Sequence, residues 1–291
     1  MKKTTEQSPA PSHGAVAAQA WKAHRSMDER SPATTSGHID VRSLSITYRT
    51  RTGAEIRALD DVALQVPERE FCVIVGPSGC GKSTLLKVLA GLIAPTSGTC
   101  RIGDAPVTGP RKDIGFVFQN PTLLPWASVL DNVLLPLKVQ RQTIDARAVE
   151  RARELLAMVD LARFARAYPK ELSGGMQQRV GLARALMHDP DILLMDEPFG
   201  ALDALTREDM NLQLQSIWMK TRKTVLFVTH SISEAVVLAD KIVVMSPSPG
   251  RIATTLDVDM PRLRDFSATS TPEFAALNDE IRKHLKKRGD A

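Results

Sequence analysis

Two stretches of this chain combine residue types that could do chemistry together: a glycine-rich run holding one lysine, and an apolar run ending in two carboxylates. The first, Gly76-Pro77-Ser78-Gly79-Cys80-Gly81-Lys82-Ser83 followed by Thr84, fits the pattern G-x-x-x-x-G-K-[ST]. Glycines there allow backbone angles that turn successive N–H groups onto phosphate oxygens. A helix starting at Ser83 points its positive end at the same charge. Lys82 sets an ammonium against β- and γ-phosphates, and the Ser83 hydroxyl is a Mg²⁺ ligand. The plainer alternative is a glycine-rich turn. The flanks favour the nucleotide site, since an apolar strand pattern precedes the loop and a helical pattern follows it. Cys80 reads as a small packing residue, with a reactive thiol at a helix N-terminus as the alternative.

The second stretch is Asp191-Ile-Leu-Leu-Met-Asp196-Glu197-Pro198. So apolar a strand cannot hold ionised carboxylates in its interior, so Asp196 and Glu197 belong at its carboxyl end, where α/β sheets bind ligands. One carboxylate there can hold the Mg²⁺ of a nucleotide, and the other can orient an attacking water or take its proton. Between the two stretches lies Leu172-Ser173-Gly174-Gly175-Met176-Gln177-Gln178-Arg179. By itself it reads as a helix N-cap that exposes a second set of N–H donors.

The elements that must position these residues alternate in type. Residues 39–48 and 59–66 alternate apolar and polar like half-buried strands, and residues 71–75, 114–118, 192–195 and 225–228 are short apolar runs of the buried parallel kind. Helical spacing falls at 83–92, 146–159 and 175–187. The expected fold is α/β, with a parallel sheet and short antiparallel strands at its front edge. Residues 1–37, rich in Ala, Ser, Thr, Pro, Gln and His, read as a disordered extension. A transit peptide is the sharper alternative there, and Asp28 and Glu29 count against it. Residues 273–288 read as an amphipathic helix with a basic end, packed on the domain or lying near an anionic membrane surface.

Composition narrows the classes. Aromatic residues are 4% of the chain, which argues against a stacking surface for single-stranded nucleic acid, and the net charge of +5 is spread among acidic residues. The three cysteines have neither metal-ligand nor disulfide-framework spacing, which fits a reducing compartment. No apolar run reaches the ~18 residues of a membrane span, and the first residues do not read as a secretory signal. A cytosolic protein is expected.

With the glycine loop, the Ser-Gly-Gly segment and the paired acids in this order, the sequence resembles the ATP-binding-cassette family over roughly residues 39–250. The resemblance implies a P-loop NTPase core with a parallel sheet, an antiparallel β edge and an inserted helical subdomain at about 120–190. The cassette would occupy 38–260, with a tail over 261–291. It implies ATP and Mg²⁺, with Tyr48 stacking on adenine, residues 76–84 cradling the phosphates, and Ser83, Gln119 and Asp196 around the metal. Glu197 matches the catalytic base, and His230 the histidine that contacts the γ-phosphate. Gln119 also matches the glutamine that links the nucleotide to membrane subunits. Ser173, Gly174 and Gly175 match the signature that completes a partner's ATP site, and Asp203 the loop that crosses the dimer interface. Met176 stands where many members have glutamine, which leaves the Ser-Gly-Gly donors intact.

The implied machine is a pair of ATP-binding subunits, expected as a homodimer, on the cytoplasmic face of the inner membrane. They would bind transmembrane permease subunits and serve a substrate-binding protein indirectly. Residues 119–126, 199–206 and 245–252 look like those of importers of nitrate, taurine and aliphatic sulfonates; some relatives carry pyrimidine precursors or bicarbonate. Two other classes are a non-transport ABC ATPase, which usually has two cassettes or a coiled-coil insertion, and an unrelated P-loop kinase. A kinase would phosphorylate an acceptor, whereas this chain is expected to release free phosphate.

Overall fold

The computed structural model describes residues 38–50 and 53–286. The extension expected over residues 1–37, and the last basic residues from 287, lie outside the described residues. Strands β1 (Ile39–Arg49), β2 (Glu55–Val66), β3 (Phe71–Val75), β4 (Ser97–Ile102), β5 (Ala105–Pro106) and β6 (Ile114–Val117) come first. They are followed by β7 (Ile192–Asp196), β8 (Thr224–Thr229), β9 (Lys241–Met245) and β10 (Ile252–Asp257). Two sheets result: an antiparallel one in the order β2-β1-β4-β5, and a larger one in the order β10-β9-β3-β8-β7-β6. The larger sheet is parallel except for β10.

The antiparallel part is more than short edge strands. β1 pairs with β2 on one side and with β4 on the other, which lets both long strands bury one face. In the larger sheet β3 is central and buried on both faces. Cys72 and Ile74 face a core shared with the antiparallel sheet, while Phe71, Val73 and Val75 face the main core. Each such side chain contributes about 1.5–3 kcal/mol by leaving water. All three cysteines are buried and free, and burial pushes the Cys100 thiol up to about 12.

The helices are α1 (Lys82–Leu89), α2 (Val129–Val139), α3 (Ala146–Met158), α4 (Gly174–Leu186), α5 (Ala204–Thr221), α6 (Ile232–Leu238) and α7 (Pro272–Lys286). α1 stops before the expected 92 because Gly91 has φ +71, and a Cβ there would lie 2.0 Å from the Gly109 carbonyl oxygen. α2, α3 and α4 fall between β6 and β7 in the chain and pack on one another. Each opens on a side-chain cap, from Ser128, Asp145 and Ser173 respectively.

The chain after β10 folds back onto the main core. Arg264, 4% exposed, donates to the carbonyls of Val236 and Ala239 at the C-terminal end of α6, at 2.8 and 2.6 Å, and to that of Met260. Burial pulls its guanidinium down to about 10. Phe274 and Ile281 of α7 then complete the same core. Among the described residues no helix is long and apolar enough to cross a membrane.

Candidate nucleotide site

The site forms at the carboxyl ends of β3, β7 and β8, where three loops converge. After β3, Gly79 and Gly81 take φ values of +77 and +98, in the left-handed region that favours glycine. A Cβ on Gly81 would also lie 2.6 Å from Leu59 Cδ2 and 2.8 Å from the Ala58 carbonyl oxygen. Gly81 caps α1 and has no side chain to bond that N-terminus, which leaves its N–H groups to the loop. Behind the loop, the turn between β9 and β10 presses Gly250 so close that a Cβ there would collide with the Cys80 carbonyl.

Lys82 is 5% exposed. Its ammonium donates to the carbonyls of Gly76 and Pro77 at 2.8 and 3.1 Å, and lies 3.8 Å from a Glu197 carboxylate oxygen. The Ser83 hydroxyl donates to Asp196 Oδ1 at 2.7 Å. Burial pushes the Asp196 carboxyl above its ordinary value, the Glu197 charge adds to the push, and the Ser83 hydroxyl opposes it. His230 Nδ1 lies 3.2 Å from Glu197 Oε2. Glu197 itself has φ +43, a strained value for a residue with a side chain, and its N–H is tied to the Val228 carbonyl at 3.0 Å. Cys80 is buried, and that burial pushes its thiol up, with Lys82 opposing. A small packing residue therefore describes it better than a reactive thiol.

A cavity of about 250 Å³ opens among these groups, walled by Ser78, Gly79 and Gly81 through Thr84, with Gln119 and Glu197 across from them. The donor set suits a magnesium nucleotide. Hydroxyl and carboxylate oxygens are the hard ligands Mg²⁺ takes, and helix-end N–H groups beside an ammonium suit a polyphosphate. Glu197 on the opposite wall, paired with the His230 imidazole, can handle a proton.

Comparison with known proteins agrees with this geometry. The ABC transporter family pattern matches residues 59–200. A taurine import ATP-binding protein of Rhizobium johnstonii is 49% identical over 87% of this chain and 98% of its own length. The chain belongs to the ABC transporter family. It is an ATP-hydrolysing cassette of that family, with the ABC ATPase fold. A taurine import ATP-binding protein of Burkholderia thailandensis is 51% identical over 76% of this cassette and 85% of its own length. A solved dimeric bacterial ABC transporter cassette superimposes with a TM-score of 0.68 at 36% identity, covering 77% of this chain and all of that one. The same cassette is solved as a dimer in a post-hydrolysis state bound to ADP and phosphate, with a TM-score of 0.67.

Of the residues singled out from the sequence, the cassette brings together 76–84, Gln119, Asp196, Glu197 and His230. Tyr48 joins at the rim, half-exposed, with its hydroxyl 3.4 Å from Thr84 Oγ1. Ser173, Gly174, Gly175 and Asp203 gather elsewhere. Ser173 caps α4 by accepting from the Met176 N–H, and Asp203 caps α5 by accepting from the Thr206 N–H at 3.1 Å. That N–H holds the exposed Asp203 carboxyl below its ordinary value. A Cβ on Gly175 would lie 2.9 Å from Thr206 Cγ2, so the two helix starts are neighbours.

Sequence reasoning missed the residues that shape the loop after Gln119. Gln178 Nε2 donates to the Gln119 carbonyl at 2.6 Å, and Arg184 donates to the carbonyls of Pro121 and Thr122. Asn132, fully buried in α2, brackets Leu124 through its N–H and carbonyl and also bonds to Ala127 and Ser128. Polar residues inside helices carry no local signal for such long-range contacts. Held this way, the loop leaves Trp126 75% exposed.

Proposed function

We propose that this cassette powers uptake of taurine or a closely related small organic sulfonate, working as one of a pair of ATP-binding subunits beneath transmembrane permease subunits. The observation that carries the ATPase chemistry is one cavity lined by Lys82, Ser83 and Glu197, with Asp196 bonded to Ser83 and His230 to Glu197. Residues 76–84 bind the polyphosphate, and Tyr48 offers a face to the base. Ser83 and Asp196 hold Mg²⁺, with Gln119 beside them. The metal screens phosphate charge when bound. Glu197 orients the attacking water and draws its proton, and His230 keeps the Glu197 carboxylate pointed into the cavity.

The pairing rests on Gly174. Among the described residues nothing lies within 4 Å of a Cβ built there, and its φ is not positive. This chain's own packing therefore makes no demand for glycine at that position, as fits close approach by a second copy. The exposed Trp126, on a braced loop next to Gln119, suits a membrane-subunit helix that needs an apolar foothold. In this proposal the cassette works at the cytoplasmic face of the membrane, with a substrate-binding protein reached only through the permease.

The substrate assignment rests on the near-50% identity to taurine import subunits. A strain lacking this protein, offered taurine, other sulfonates, nitrate or a pyrimidine precursor as sole nutrient source, tests it. Loss of growth on taurine or sulfonates supports the assignment. Growth lost only on nitrate or the pyrimidine precursor overturns it. In a complemented strain, Pro125→Ala with Trp126→Ala should lower transport-linked ATPase about tenfold or more, as truncated anchors at interfaces do, while ATP affinity holds.

A further inference from the structure

Glu197 and His230 stand on two separate turns, and those turns are joined beneath the site. Glu197 begins the turn that runs through Phe199, Gly200 and Leu202 to Asp203. His230 sits between Thr229, the last residue of β8, and Ser231, the cap of α6. Arg207, in the first turns of α5, grips the first of these. Its Nε donates to the Phe199 carbonyl at 3.2 Å, and its Nη2 donates to those of Gly200 and Leu202 at 3.4 and 2.6 Å.

The same guanidinium comes within 3.8 Å of Glu234 Oε1. Glu234 is 5% exposed, and its other oxygen accepts from the Thr229 hydroxyl. That hydroxyl in turn accepts the Ser231 N–H at 3.0 Å, while the Glu234 N–H donates to Ser231 Oγ at 3.3 Å. His230 is thus bracketed on both sides by groups that answer to Glu234.

We infer that Arg207 and Glu234 are positioning residues for ATP hydrolysis, the ion pair that keeps the turn of Glu197 and the turn of His230 in mutual register. The backbone of Glu197 supports this. A non-glycine residue at φ +43 persists only where its surroundings over-determine it, and Arg207 fixes the turn that follows at three carbonyls. A carboxylate as buried as Glu234 also needs a cation, and Arg207 is the one within reach among the described residues. Movement of the loop through Asp203 is then transmitted to the Glu197–His230 contact along a short polar path. The inference rests on the proposed reading of Glu197 as the base.

The test uses the full-length chain with Arg207→Gln, Arg207→Lys, Glu234→Gln and the double variant Arg207→Gln/Glu234→Gln, beside Glu197→Gln. Displacing a catalytic group by about 1 Å costs on the order of 100-fold, so kcat should fall about 10- to 100-fold. KM and equilibrium ATP affinity should stay within about twofold, as for a contact that matters only in the transition state. The double variant should lose little more than the worse single, since both act through one contact. Arg207→Lys should recover only part of the rate, because a single ammonium nitrogen cannot reproduce the planar grip that Arg207 makes from two nitrogens.

Amide exchange over residues 199–202, measured without nucleotide, should quicken in Glu234→Gln, although that residue lies on another helix. Wild-type kcat in the variants, additive losses in the double variant, or unchanged exchange would each overturn the inference. Should Arg207→Gln fail to fold, Glu234→Gln and Arg207→Lys carry the same readouts. If Glu197→Gln turns over normally, the reading of Glu197 fails. If it is inactive while the Arg207 and Glu234 variants run at the wild-type rate, only the present inference fails.

Discussion

Two helices of this cassette begin on glycine-rich segments, and their first turns are built in opposite ways. At α1, Gly81 caps the helix with φ +98 and offers no side chain, so the N–H groups of the turn face a cavity that already holds Lys82 and Glu197. At α4, Ser173 caps the helix with its own hydroxyl, Gly174 is exposed, and a Cβ there would touch nothing in the described chain. The first start already faces groups of the same molecule. The second is tidy by itself but presents a bare backbone outward, which suits use by a neighbour. A glycine demanded by intramolecular geometry and a glycine left over by it therefore point to different kinds of function.

Substitutions can break or sharpen that contrast. The largest effect is expected at the α1 cavity, where Glu197→Gln should lower the ATPase rate about 10²- to 10⁴-fold, the usual worth of a general base, with ATP still bound. Near wild-type turnover would move the base elsewhere. Lys82→Ala removes a charge-assisted contact worth about 1.5–3 kcal/mol, so the ATP dissociation constant should rise about 10- to 100-fold; an unchanged titration would take Lys82 out of the site. At the α4 start, Gly174→Ala should leave melting temperature and the affinity of the isolated chain for ATP unchanged while lowering ATPase about tenfold, as for one lost close contact at an interface. Full activity in that variant would remove the contrast.

The smallest effect concerns Asp196. Burial raises its pKa in the folded chain, so folding disfavours its ionised form. The stability contribution is most favourable below the ordinary carboxylate pKa and is lost as pH rises through the raised one. Without nucleotide, Asp196→Asn should therefore raise the melting temperature at neutral pH, by roughly 2–4 °C if the gain is near 1 kcal/mol in a domain of this size. The gain should fade in acid, and an equal gain at all pH values would exclude this cause.

The contrast also marks what the sequence could reveal. Gly79, Gly81, Lys82 and Ser83 are legible because local backbone angles and a fixed spacing make the loop, and Asp196 with Glu197 because an apolar strand cannot keep charges inside. β4 was not legible: only Cys100 and Ile102 are buried in it, too few to show a period. α5 was hidden because Asn211 and Gln215 lie on its buried face, where Gln215 bonds to Arg264 and Asn211 to its own helix backbone. Polar residues there interrupt the apolar stripe that marks a helix. Arg207 and Glu234 were equally silent, since each reads as an ordinary surface charge until two helices bring them together.

The place of β3 in the sheet has a consequence for how the chain is made. Its neighbours are β8 and β9, which leave the ribosome long after it, and the far end of α6 is closed in part by Arg262 and Arg264, later still. Phe71–Val75, apolar on both faces, must therefore wait unpaired through most of synthesis. In the finished cassette every residue of it is buried, yet in the nascent chain it is a segment open to wrong partners, and so a natural client for a chaperone.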